Sequence, residues 1–258
     1  MRRLVSLWGV AVVVFCGTVG LAMPGIALAD PLVPPLDVKW SQLPDMDRGT
    51  DWLSMHRANG PVVADDFQSD GRLIVGLHWW GSYFESDPKL DPGQDRQVQF
   101  EVSFHPDSPV GPNKPFSTPG QPYQFQIVSA EETFFGATQG GEGVYEYWAK
   151  LGTPWEEVAG NIYWLDVAYA AGQFNQDPLA DVWGWHESWQ HWNDHAVTTL
   201  VPAGGNPHTG TWQLVGDGLR DMAFEVLTPV PEPCTVVIWS SLAGLGIAAG
   251  WYRRKRAG

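Results

Sequence analysis

The stretch Gln97-Val98-Gln99-Phe100-Glu101-Val102-Ser103-Phe104 decides the fold. Val98, Phe100, Val102 and Phe104 alternate with Gln97, Gln99, Glu101 and Ser103, so one face is apolar and the other polar at a period of two. On a helix the same residues would be scattered around the axis. Tyr123, Phe125 and Ile127 alternate with Gln124 and Gln126 in the same way, offering a second apolar face. Residues 73–83 are apolar on both faces (Leu73, Val75, Leu77 and Trp79 against Ile74, Gly76, His78 and Trp80), as in a central strand.

Further runs with strand character are 61–67, 144–151, 161–169, 196–201, 211–215 and 222–227. Residues 144–151 and 161–169 read as a strand pair joined by the loop 153–160. The 29 Gly and 21 Pro cut the chain into such short pieces, and no convincing helix period or internal repeat intervenes. Eight or nine strands are expected. The expected fold is all-β, an antiparallel two-sheet sandwich of jelly-roll type, with a closed barrel as the alternative.

The two ends read as addresses. Arg2 and Arg3 precede an apolar run at 4–21, and Ala27-Leu28-Ala29 supplies small residues for signal peptidase, predicting cleavage that leaves Asp30 first. Residues 30–38, with Pro31, Pro34 and Pro35, form an extended start to a domain at 39–228. In the closing segment 229–258, Pro231-Glu232-Pro233 leads into an uncharged span at 234–252. That span is just long enough for one membrane helix. Arg253, Arg254, Lys255 and Arg256 follow and anchor the span positive-inside, placing the domain outside the cell.

Between these ends lie 9 Lys/Arg and 28 Asp/Glu, a net charge of −19 against −14 for the whole chain. Such a surface repels phosphate backbones and disfavours nucleic acid as a partner, while divalent cations fit it. The two cysteines, Cys16 and Cys234, both fall in the end segments, so the domain must rest on its packed core, which holds 12 of the 15 Trp.

Three groups of residues could carry chemistry. The segment 181–195 packs Trp183, Trp185, Trp189 and Trp192 among His186, Glu187, His191, Asp194 and His195. On a helix His191 and His195 would share a face suited to a metal such as zinc, but His186-Glu187 lacks the spacing of a zinc-hydrolase motif. On a loop these residues remain open as ligands, and so does a Trp-rich packing segment without metal. Asp65 and Asp66 could hold Ca²⁺ where a strand ends, although on a continuing strand they point to opposite faces. Asp45, Asp47 and Asp51 cluster without a calcium-loop pattern. No metal or other cofactor is required by any of these patterns. Trp183, Trp185, Trp189, Trp192 and the pair Trp79-Trp80 are candidate sugar platforms, because an exposed indole stacks on a pyranose ring. No Gly-x-Ser-x-Gly elbow, Walker loop, Rossmann glycine pattern or catalytic cysteine occurs, and nothing selects a glycosidase carboxylate pair.

The order Pro231-Glu232-Pro233, apolar span, basic cluster resembles the PEP-CTERM sorting signal of Gram-negative bacteria. The resemblance implies an exosortase as partner, transient residence in the inner membrane, and delivery to the cell envelope or an exopolysaccharide matrix. The stretches Lys39-Trp40-Ser41-Gln42, Val62-Val63-Ala64-Asp65-Asp66-Phe67, His78-Trp79-Trp80-Gly81-Ser82-Tyr83, Phe104-His105-Pro106-Asp107, Trp183-Gly184-Trp185 and Trp192-Asn193-Asp194-His195-Ala196-Val197 are similar to an exported domain recurring in bacteria with this sorting system. That similarity brings no activity with it. The expected role is structural or adhesive and non-enzymatic, with exopolysaccharide binding as first alternative and matrix hydrolysis as second.

Overall fold

The alternation at 97–104 becomes a strand that outruns the pattern, Arg96–Ser108. The computed structural model describes residues 36–56, 60–84, 96–112, 114–121, 124–170, 182–200 and 211–230, all within the unit Pro34–Gly258. The expected signal peptide with Ala27 and Ala29 lies outside them, as do Tyr123, Asp181, the Pro231-Glu232-Pro233 motif, the span 234–252 and the cluster Arg253, Arg254, Lys255 and Arg256. Among the described residues there is no helix, and hence none long and apolar enough to cross a membrane. The strands are β1 (Leu36–Gln42), β2 (Asp51–Leu53), β3 (Pro61–Gln68), β4 (Ile74–Tyr83), β5 (Arg96–Ser108), β6 (Thr118–Pro119) and β7 (Gln124–Ala137). They continue with β8 (Gly143–Trp155), β9 (Ile162–Tyr169), β10 (Trp183–Ser188), β11 (Val197–Leu200), β12 (Trp212–Leu214), β13 (Asp221–Met222) and β14 (Phe224–Pro229). The protein is all-β.

The long strands form one continuous antiparallel sheet in the order β1-β14-β4-β8-β7-β5-β9-β3-β11-β12, with β10 bridging β4, β2 and β13. The sheet curls until its far parts meet: Phe67 of β3 packs on Trp155 of β8 and on Phe224 of β14. Gln42 of β1 donates to Asp65 of β3 across the same interior. Among the described residues the long strands pair without a break into two sheets, β5 and β9 included.

Strands β8 and β9 are not partners, contrary to the hairpin expected at 144–169. The former pairs with β4 and β7, the latter with β5 and β3. Strands β5, β7 and β8 follow one another in space and β9 returns beside β5, the order of a Greek key. Phe125 and Ile127 are also turned outward rather than into the core, exposed at 59% and 42%. Register decides this, since they stand opposite Ser103 and Glu101, on the polar face of β5.

Val98, Phe100, Val102 and Phe104 point into the core as the alternation requires. Phe104 stacks on Trp155 at 4.3 Å, and Trp79 on Tyr147 at 5.7 Å. Each aromatic side chain so buried contributes about 2–3 kcal/mol of transfer free energy. Indole N–H groups in this interior need acceptors: Trp183 donates to the Tyr147 hydroxyl (3.1 Å) and Trp185 to the Ala223 carbonyl (2.8 Å). Residues 183–188, read from sequence as a loop or helix, are strand β10. Gly81 on β4 permits this, because a Cβ there would lie 2.3 Å from the Trp183 ring.

Candidate functional site

Beyond β10 the chain turns back on itself at Asn193, which adopts a left-handed conformation (φ 52°) accessible at low cost to Asn. The turn lays His195 on His191, ring centroids 4.2 Å apart and planes 24° from parallel. Both rings meet the carboxylate of Asp221, which β13 holds in place by pairing with β10. Nδ1 of His191 lies 2.9 Å from Oδ2, and Nδ1 of His195 lies 3.3 Å from Oδ1. The Trp192 backbone N–H donates to Oδ2 at 2.8 Å. One ligand atom from each of His191, His195 and Asp221 lies within 4.8 Å of the others. The expected His191–His195 pairing is thus present, but built by a loop instead of a helix face. Asp221 escaped the sequence reading, since it sits 26 residues beyond His195 in a two-residue strand with no local pattern around it.

Behind this cluster stand Asp65 and Asp66, buried on opposite faces of the continuing strand β3. They cannot share one ion as the calcium reading required, because the strand does not end there. Asp65 accepts from Gln42, from the Met222 N–H (2.6 Å) and from the Asp66 N–H. Burial, then the charges of Asp221 and Asp66, push its carboxyl well above the usual range. Asp66 accepts from the Asn193 amide at 2.6 Å, and Asp194 accepts from the same amide at 2.8 Å. Burial is the main cause that lifts Asp66 to about 8, with Asp194 and Asp221 adding to it against the Asn193 hydrogen bond.

His186 and Glu187 belong elsewhere. His186 is buried, its Nδ1 3.1 Å from Asp51 and its Nε2 3.1 Å from the Asp45 carbonyl. Burial opposes its charge, but Asp51, the Asp45 carbonyl and Glu142 prevail and raise its pKa. Glu187 accepts from Thr50, Trp52 and Arg220. Asp45 caps its own turn, accepting from the Asp47 and Arg48 N–H groups.

Residues 38–229, about three quarters of the chain, match a family described as a domain of unknown function, DUF7901. The chain belongs to the DUF7901 family. No curated protein and no solved structure matches it.

Within this DUF7901 domain the six Trp proposed as sugar platforms separate, and Trp79 and Trp80 are buried. Trp183 and Trp185 are wholly buried core residues, so neither can offer a face to a sugar. Trp192 packs edge-on against Trp40 at 4.8 Å. Trp189 is 64% exposed. An aromatic run of which the sequence singled out only Trp80 crosses the outer face of the sheet instead. Phe135 meets Trp80 at 5.8 Å, Trp80 meets His78 at 4.0 Å, and His78 stacks under Trp148 at 3.6 Å. Its ends, Phe135 and Trp148, are 44% and 40% exposed. His78 faces Glu225 through Nδ1 (2.9 Å) and Glu146 through Nε2 (3.1 Å), which sets two carboxylates beside the exposed indole.

The DUF7901 domain also gathers a serine, a histidine and an aspartate. Ser103 donates to Asp166 Oδ2 at 2.6 Å, and His105 Nε2 lies 2.8 Å from that same oxygen. His105 Nδ1 faces the Gly120 carbonyl at 2.8 Å. In a hydrolytic triad the imidazole stands between hydroxyl and carboxylate, one ring nitrogen for each. Here a single nitrogen meets both, and all three side chains are buried. The arrangement is therefore not that of a hydrolytic triad.

Proposed function

We propose that this DUF7901 protein is an exported, non-enzymatic component of a Gram-negative envelope or extracellular matrix, whose domain adheres to matrix polysaccharide. The observation that carries the reading is the half-exposed Trp148, supported from below by His78 and flanked by Glu146 and Glu225. The C–H face of a pyranose stacks on an indole, and neighbouring carboxylates accept hydrogen bonds from its hydroxyls. A ring already fixed by stacking loses little side-chain entropy on binding. The acidic composition, a domain without cysteine and the PEP-CTERM-like tail support the location, with exosortase and signal peptidase as processing partners and the span 234–252 as a transient membrane anchor. The curled sheet, its core enclosed between facing parts, is read as a sandwich whose outer face is the binding face.

The test is native electrophoresis of the full chain, in detergent, through gels containing matrix polysaccharide. Retardation is expected, with Trp148→Ala and Phe135→Ala each abolishing it and Trp189→Ala retaining it. A mobility unaffected by every matrix polymer, or a Trp148→Ala variant retarded like the parent, would reject the reading.

A further inference from the structure

We propose that His191, His195 and Asp221 form a site for a divalent transition-metal ion of the zinc type, held by two imidazole nitrogens and one carboxylate. The site lies apart from the Trp148 surface and does not depend on the polysaccharide reading.

Spacing is the first ground. Around the single oxygen Oδ1 of Asp221, Nδ1 of His191 stands at 3.1 Å and Nδ1 of His195 at 3.3 Å. A tetrahedral ion with bonds of about 2.0–2.1 Å has ligand–ligand edges of roughly 3.3 Å. The two nitrogen–oxygen edges are therefore close to what zinc requires, and the fourth position falls to water.

Charge is the second ground. Asp65 accepts from the N–H of Met222, the residue next to Asp221, and Asp66 accepts from Asn193 in the turn between the two histidines. Among the described residues no Lys or Arg forms an ion pair with any of the three, since Arg220 next door is spent on Asp217 and Glu187. Asp66 Oδ1 is buried without a hydrogen-bond partner. Asp221 thus sits beside two buried carboxyl groups with no fixed cation among the described residues, a setting that a bound dication would satisfy.

Support and access complete the case. The Trp192 N–H fixes the Asp221 carboxylate as outer partners of metal ligands do. The side chains of His191 and His195 are 53% and 28% exposed, which leaves the donors open to solvent. Two nitrogens and a single carboxylate suit zinc, cobalt, nickel or copper, whereas calcium and magnesium need a shell of oxygens. An ion lies near the plane of each ring that binds it, so loading must open the 24° stack of His191 and His195. Their protons then move to Nε2.

The experiment uses the full chain in detergent, stripped by chelator and titrated with Zn²⁺ by calorimetry, with Co²⁺ as a visible-absorption probe. One equivalent of Zn²⁺ is expected to bind, and Co²⁺ should give the intense bands of a four-coordinate site. His191→Ala and His195→Ala should each weaken binding at least about tenfold. His191 is exposed, so its variant keeps the fold, whereas Asp221→Asn could disturb the β10–β13 pairing and is not relied on. Trp189→Ala should bind as the parent does, and calcium in large excess should not compete. No Zn²⁺ binding, binding unchanged in both histidine variants, or displacement by calcium would each overturn the proposal.

Discussion

Trp148 lies flat on His78, with ring centroids 3.6 Å apart and planes 14° from parallel. The two residues stand directly opposite in the register of β4 and β8, so the sheet itself holds the stack. His78 also separates Glu146 from Glu225, meeting one carboxylate with each ring nitrogen. A single residue thus supports the exposed indole and keeps two like charges apart.

His78→Ala is expected to destabilise the protein by about 1–3 kcal/mol, since it removes a buried ring and strands two carboxylates. The midpoint of urea unfolding should fall with its slope unchanged. Burial pushes the Glu225 carboxyl up, but hydrogen bonds to His78 and Ser41 with the His78 charge hold it below its usual value. An acid with a depressed pKa stabilises the fold above its unfolded pKa, and that stabilisation fades as pH falls through the folded value. The penalty of His78→Ala should therefore shrink on acidification. Equal stability of variant and parent near neutral pH would refute this account.

Asp66 titrates in the opposite sense. With its folded pKa raised to about 8, the folded state binds more protons than the unfolded state between the ordinary aspartate range and that value. Stability should accordingly fall as pH rises from about 4 to about 8 and level off above. Asp65, raised by burial and by Asp221 and Asp66, acts in the same direction. Asp66→Asn mimics the neutral acid and keeps an acceptor for Asn193. In chelator-treated protein it should flatten this slope and raise Tm at about pH 8 by roughly 2–4 °C for each kcal/mol recovered. Thermal melts from about pH 5 to about pH 9 read the effect, and a parent that grows more stable with rising pH would contradict it.

Gly81 faces a different constraint. A Cβ at this position would meet the Trp183 ring at 2.3 Å and the Gly184 carbonyl at 2.4 Å, and neither a buried indole nor a paired backbone can give way. Gly81→Ala should cost about 3 kcal/mol or prevent folding. By contrast, Gly152→Ala, on β8, meets nothing closer than the Gln126 side chain at 3.5 Å and should be tolerated. Soluble yield and the urea midpoint of the pair separate the two outcomes, and equal behaviour would show that β10 can move.

Periodicity made the core legible at Val98, Phe100, Val102 and Phe104, because a half-buried strand writes its burial into a repeat of two. The same reasoning misplaced Phe125 and Ile127, whose facing follows from a register with β5 that only pairing can fix. Composition leaves open whether Trp183 and Trp185 face the core or solvent. Yet Gly81 and Gly184 let β10 approach β4 closely enough to bury both rings. His191 and His195 could be found from composition, whereas Asp221 and the Trp148–His78 stack depend on contacts between distant strands. The Greek-key return of β9 was invisible for the same reason, as adjacent runs in sequence need not be adjacent in the sheet.

Ser103, His105 and Asp166 provide the sharpest check on a hydrolytic role. The Ser103 hydroxyl donates to Asp166 Oδ2 at 2.6 Å, while His105 Nε2 lies 2.9 Å from that hydroxyl and 2.8 Å from the same carboxylate oxygen, so one ring nitrogen meets both groups where a triad uses one for each. Burial of all three side chains denies a substrate contact with Ser103. A fluorophosphonate probe should therefore leave Ser103 unlabelled in the folded protein. Ser103→Ala should cost about 1 kcal/mol, because His105 and Asp166 still meet at 2.8 Å without it. Asp166→Ala should cost about 3 kcal/mol or more, since it removes the carboxylate that both neighbours need in the interior. Labelling of Ser103, or a Ser103→Ala penalty as large as that of Asp166→Ala, would show that the hydroxyl does more than fill a hydrogen-bond site.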